Sequence, residues 1–248
     1  MTAPAAPRPD GETLDAFYHG RIHILQARRG YRFAVDAPLL ADFIRTEPGD
    51  EALELGAGNG VISLLLSVKP VRRIVAVEIQ AGPAALARRN VELNGLGGRI
   101  EIARADLRTF RPGRVFDLIF SNPPYIRKAT GFLSASAEKS AAKHEIHGDI
   151  GDILRKTAEW LAPGGRACFV YPEKRRADLL KAAGESGLEP SRLRFVQPRD
   201  GEPANLFLIE LVHAGRGPAG GPEVMPPLVL FGPDGKYTAA AEAVFSGR

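Results

Sequence analysis

Cysteine is almost missing from this chain. Its 248 residues hold one, Cys168, inside the apolar run "ACFVY", so no intramolecular disulfide can form and a reducing, cytoplasmic compartment is expected. The residue itself reads as a small buried hydrophobe. Long hydrophobic runs are missing too: no stretch reaches the ~18 apolar residues of a membrane span, and the Pro/Ala-rich start "MTAPAAPRPDGE" lacks the apolar segment of a signal peptide. There is no internal repeat, and no His/Cys group has metal-ligand spacing, which predicts no metal. A large excess of one charge is missing as well. A net charge of +4 permits a nucleic-acid partner without requiring one. What is present, 44% hydrophobic and 25% charged residues, suits one soluble globular domain with an extra lobe.

Residues 1–19 read as a disordered lead-in. "GRIHILQ" (20–26) and "YRFAV" (31–35) read as two strands of a hairpin, and "DAPLLADFIR" as a short helix with Asp36 as N-cap and Pro38 in its first turn. Strand and helix patterns then alternate: "EALEL", "GVISLLLSV", "RIVAVEI", "AGPAALARRNVELNG", "RIEIARA", "FDLIFS", a helix over 151–161, "RACFVYP" and a helix over 173–185. Such alternation gives a mostly parallel sheet covered on both faces. The last two strands, "RLRFVQ" and "NLFLIELV", are joined only by "PRDGEPA", too short for a crossover helix, so they pair antiparallel. Residues 20–212 form the main domain. Residues 213–248 form a Gly/Pro-rich extension with room for a strand and a short terminal helix.

The turn after the first core strand, "ELGAGNG", spans Glu54 to Gly60 and lies where doubly wound sheets bind nucleotides. A dinucleotide fingerprint needs G-x-G-x-x-G, but Val61 stands where its third glycine belongs, which disfavours a nicotinamide dehydrogenase. Tight packing alone would also account for Gly56, Gly58 and Gly60. Glu54 suits a ligand carrying an amino group, Glu78 ends the next strand where it can accept both hydroxyls of a ribose, and Asp106 follows the third strand where it can accept from an adenine amino group. A lone acidic residue at a strand end is usually just solvated; three in succession around a glycine turn fit an adenosine with a cationic amino-acid arm.

The strand "FDLIFS" leaves through Asn122, Pro123, Pro124 and Tyr125. Two prolines remove two donors and fix two φ angles, and Asn122, preceding proline, is pushed toward an extended conformation. The corner is stiff and rich in acceptors. Without the upstream residues it would read as a rigid strand exit.

In this order, Glu54-x-Gly56-x-Gly58-x-Gly60, Glu78, Asp106 and Asn122-Pro123-Pro124-Tyr125 resemble the class I S-adenosylmethionine-dependent methyltransferases that act on exocyclic amino or amide nitrogen. "GYRFAVDAPLLA", "KHEIHGD" (143–149) and "ANLFLIELVHAG…PPLVLF" narrow the resemblance to the small-domain methyltransferase family, over nearly the whole chain from Gly20. The resemblance implies an α/β fold: a Rossmann-like seven-stranded sheet with its last strand antiparallel, helices on both faces and an N-terminal β-hairpin. It implies S-adenosyl-L-methionine as cofactor, with Asp36, Glu54, Gly56, Gly58, Gly60, Glu78, Asp106 and Asn122 around it. It implies catalysis by the Asn122–Tyr125 corner: the Asn122 side-chain oxygen and the Pro123 carbonyl accept the N–H groups of the target, and Tyr125 stacks on its plane.

Arg127, Lys128, Lys139 and Lys143 follow the corner, with His144 and Glu145 beside them, and Lys174, Arg175 and Arg176 follow the next strand. Cations there would position RNA phosphates, whereas ordinary surface charge is the competing reading. The first expectation is N6 methylation of adenine in RNA, with tRNA as partner. A protein glutamine amide, an N6-adenine DNA target, and a binding module without turnover stand as alternatives.

Overall fold

The computed structural model describes residues 11–28, 35–123 and 150–247. Alternation of side chains along each strand explains the layering. In β6 (Phe116–Ser121), Ile119 joins one buried cluster while Leu118 and Phe120 join the other. β7 (Leu161–Pro172) repeats this with Phe169 and Tyr171 against Cys168 and Val170. A strand buried on both faces must be covered by helices on both. One cover is formed by α1 (Asp36–Phe43), α2 (Val61–Leu66) and α3 (Ala81–Leu93), and the other by α4 (Ile150–Trp160) and α5 (Arg176–Glu185). None of the described helices is long and apolar enough to cross a membrane.

With β3 (Glu51–Leu55), β4 (Arg73–Glu78), β5 (Ile100–Arg104), β8 (Leu188–Gln197), β9 (Leu206–His213) and β10 (Glu223–Val229), the main sheet has eight strands in the order β10-β8-β9-β7-β6-β3-β4-β5. β9 runs antiparallel to both neighbours and the other pairs are parallel, as the short 198–204 link requires. The expected seven strands become eight because the C-terminal extension supplies β10. Its Pro226 and Pro227 fall where the register with β8 shifts, an edge position that tolerates missing donors. The extension ends in α6 (Ala239–Ser246), capped by the Thr238 hydroxyl, which accepts from Ala241 N at 3.2 Å.

The N-terminal hairpin sits earlier than expected. β1 (Glu12–Phe17) pairs antiparallel with β2 (Ile22–Ala27), so residues 12–19 are not part of a disordered lead-in. The strand expected over 31–35 falls almost wholly outside the described residues. Asp36 is not the N-cap of α1 either: Val35 holds that position and Asp36 lies in the first turn.

The far end of α1 is clamped by cations from three elements. Lys69 Nζ donates to the carbonyls of Asp42 (2.9 Å) and Ile44 (2.7 Å), Arg192 to Phe43 (2.8 Å) and Arg166 to Arg45 (3.0 Å). These are the orphan acceptors of a helix C-terminus, where positive charge is favoured by the helix dipole. Because α1 leads into the amino end of β3, its opposite end, with Asp36, lies on the side of the strand carboxyl ends.

Candidate active site

Three glycines make the turn between β3 and α2 possible. Gly56, Gly58 and Gly60 have φ of 75°, 55° and 80°, a region that residues with a Cβ rarely adopt. Backbone conformation, and not close packing alone, therefore demands them. Among the described residues, a Cβ at Gly56 or Gly58 would meet nothing within 4 Å, whereas at Gly60 it would approach Ala87 Cβ to 3.3 Å. Among the described residues nothing covers the first two glycines, and α3 lies against the third. The turn is held from below: the amides of Gly56 and Ala57 both donate to the Val77 carbonyl at 2.9 Å.

Register places the other side chains in one row. Leu55 pairs with Val77, Glu78 with Arg104, and Glu54 with Phe120. Two residues beyond the Glu54–Phe120 pair and one beyond Leu55–Val77, the register carried on sets Asn122, Gly56, Glu78 and Arg104 level at the carboxyl ends of β6, β3, β4 and β5, with adjacent strands about 4.8 Å apart. The Ser121 hydroxyl ties β6 to β3 by donating to the Leu55 carbonyl at 2.6 Å. Asn122 is half-buried and Pro123 buried.

Glu78 is buried, and its two oxygens accept from the amides of Gly58 (2.8 Å) and Gln80 (2.7 Å). Each oxygen keeps a second lone pair for a hydroxyl. Asp106, two residues beyond β5, is paired with Arg108 through Nε at 3.0 Å and accepts the Arg108 amide at 2.9 Å. That pair raises the already high pKa of Arg108.

Glu54 lies beneath the turn, 1% exposed, accepting a hydrogen bond from the Ser63 hydroxyl of α2. Burial pushes its carboxyl up to about 8, with the Ser63 bond pulling partly back. Among the described residues its Oε1 has no hydrogen-bond partner, and neither has Oδ1 of the buried Asn59 in the turn itself. Orphaned acceptors, a glycine cradle and the Glu78 carboxylate level with it fit a ligand with an amino group and a ribose.

The structure thus brings Glu54, Gly56, Gly58, Gly60, Glu78, Asn122 and Pro123 to one end of the sheet, with Asp106 at its rim and Asp36 at the α1 end on that side. Pro124, Tyr125, Arg127, Lys128, Lys139, Lys143, His144 and Glu145 lie outside the described residues. Lys174, Arg175 and Arg176 follow β7, and the two arginines are engaged locally. Arg175 pairs with Asp178 and lies over Tyr171, and Arg176 pairs with Glu173 and lies over Phe195. Among the described residues no group of three or more His, Cys, Asp or Glu is placed to hold a metal ion. One participant escaped the sequence reading: Asn90 of α3 donates to the Asn59 carbonyl at 3.0 Å. The pattern "NVELNG" signalled only a helix end.

Residues 33–182 match the model of the methyltransferase small domain. A tRNA1(Val) (adenine(37)-N6)-methyltransferase of Parabacteroides distasonis is 30% identical over 182 residues, covering 73% of this chain and 76% of the relative. The enzyme of the same name from Cronobacter sakazakii is 27% identical over 245 residues, covering 97% of this chain and 95% of the relative. Among solved structures, one described as a predicted O-methyltransferase from Agrobacterium tumefaciens superposes with a TM-score of 0.66 at 22% identity, covering 86% of this chain and 96% of that one; at that identity the likeness speaks for the fold. With a glycine cradle and Glu54, Glu78 and Asp106 near the carboxyl ends of its sheet, the chain belongs to the methyltransferase small domain family, as an enzyme that uses S-adenosyl-L-methionine.

Proposed function

We propose that this enzyme methylates the exocyclic N6 amino group of an adenine in RNA, and that the RNA is a tRNA. The observation that carries the reading is the pairing of β3 with β6, whose register carried past both strand ends sets Asn122 level with Gly56, with Pro123 following. The names of the relatives, which act on adenine 37 of tRNA1(Val), support the target. Adenine 37 of a valine tRNA is accordingly the first substrate to try.

The bound cofactor supplies an electrophilic methyl on a sulfonium. Everything else falls to the chain. An amino group conjugated to a ring is a poor nucleophile, because its lone pair is delocalised. The Asn122 side-chain oxygen and the Pro123 carbonyl accept its two N–H groups, which favours pyramidal nitrogen and aims the lone pair. Pro124 stiffens the corner and Tyr125 stacks on the base, an interaction worth about 1–3 kcal/mol. Positioning of this kind lowers a barrier by up to roughly 7–11 kcal/mol. Glu78 takes the ribose hydroxyls, Asp106 the adenine amino group of the cofactor, and Glu54 with Asp36 the charged methionine end. Arg127, Lys128, Lys143 and His144 contact the RNA, and the cytoplasm is where such a substrate is met.

Labelled cofactor supplied side by side with total tRNA, duplex DNA and release factors, followed by digestion and mass spectrometry, tests the target. Label in N6-methyladenosine of tRNA is expected. Label confined to a protein glutamine amide overturns the RNA reading.

A further inference from the structure

The N-terminal hairpin is docked on α3 by side chains that imitate a strand. On β2, the backbone groups of His23 and Leu25 point to the edge not taken by β1, as residues two apart do. On α3, Asn90 and Asn94 are four apart and share a face. Asn94 accepts from the His23 amide (2.8 Å) and donates to the His23 carbonyl (2.7 Å). Asn90 accepts from the Leu25 amide (2.7 Å) and donates to the Leu25 carbonyl (3.1 Å). Arg89 adds a two-pronged pair to Glu12 of β1, at 2.7 and 2.9 Å.

The two asparagines differ in one respect. The second amide proton of Asn94 goes to the carbonyl of Asn90 in its own helix (2.7 Å), whereas that of Asn90 goes to the carbonyl of Asn59, between Gly58 and Gly60. Asn90 is fully buried, so its amide has no water to fall back on. One planar group therefore fixes the hairpin on one side and the glycine turn on the other. If the hairpin leaves, Asn90 loses two of its three side-chain bonds and the Asn59 carbonyl loses a fixed donor. If the turn is ordered by a ligand, Asn90 is held ready for Leu25.

We propose that Asn90 is a positioning residue that couples docking of the N-terminal hairpin to S-adenosylmethionine binding at the glycine turn. The coupling rests on the cofactor lying over that turn and is independent of the RNA reading. It must be reciprocal: the hairpin tightens cofactor binding, and the cofactor tightens the hairpin by the same factor.

Two measurements test it. In titration calorimetry, Asn90→Ala should weaken cofactor affinity about ten-fold, the equivalent of one buried hydrogen bond. Asn94→Ala, which leaves the hairpin docked by Asn90 and the Arg89 pair, should bind as the parent does. In hydrogen exchange, cofactor should slow the peptide covering residues 22–27 in the parent and in Asn94→Ala, and not in Asn90→Ala. Equal affinities for the two variants overturn the coupling, as does hairpin exchange in the parent that ignores the cofactor. The second readout needs no variant, so it holds even if Asn90→Ala fails to fold. Loss of cofactor binding in Glu78→Ala beside an unaffected Asn90→Ala would leave the cofactor site standing and remove the coupling alone.

Discussion

At Glu54 the fold holds a carboxyl whose proton is bound more tightly in the native state than in the unfolded chain. The stability it contributes is therefore complete below about 4.5, its ordinary value, and drains away as pH rises toward about 8. The protein without cofactor should melt at lower temperature at pH 8 than at pH 5, and Glu54→Gln, which stays neutral, should flatten that slope in matched thermal scans. Two other substitutions separate binding from chemistry. Asn122→Ala should remove turnover while leaving cofactor affinity nearly unchanged, and equal methylation rates would refute its role. Glu78→Ala should weaken cofactor binding, because it removes the ribose acceptor and also the clamp on the Gly58 amide; an unaltered dissociation constant would count against it. The glycine turn and the strand-end acids were legible because each is a local pattern at a position the alternation of elements defines. Asn90 was not, since its partner Leu25 lies 65 residues away and nothing local records the bond.

Among the elements, α1 depends most on charge placed at a distance. Arg192 is 4% exposed, pairs with Glu210 at 2.8 Å, lies 4.0 Å over the Phe43 ring and caps the Phe43 carbonyl. Removing one partner of a buried pair strands the other, at a cost of about 3–5 kcal/mol. Arg192→Ala should therefore lose about that much in urea denaturation, and the Arg192→Met/Glu210→Leu double variant should recover most of it. The sequence announced α1 through "DAPLLADF" but not what ends it, because Lys69, Arg166 and Arg192 come from three separate segments. β1 was missed for a related reason: "ETLDAF" follows a Pro/Ala-rich stretch, and only pairing with β2 makes it a strand.

Over the molecule as a whole, the N-terminal hairpin and α6 meet beside α1. A Cβ on Gly247, just past α6, would lie 2.5 Å from Tyr18 at the hairpin tip, and Tyr18, Ala241 and Val244 share one buried cluster with α1. The extension thus completes the core and covers the edge of β8. Deleting residues 223–248 should lower the melting temperature by several degrees and raise light scattering with concentration, since an uncovered strand edge invites pairing between chains. Parallel order and the antiparallel β9 could be anticipated from link lengths. The strand in the extension could be anticipated too, but not its place at the edge of the main sheet, since nothing local pairs it with β8. Cys168, the sole thiol, has no exposed surface, and burial drives its ionisation far above the usual range. A thiol-modifying dye can therefore react only with molecules whose central strand has opened, so the rate of colour development counts unfolding events in the untouched parent protein, with or without its cofactor.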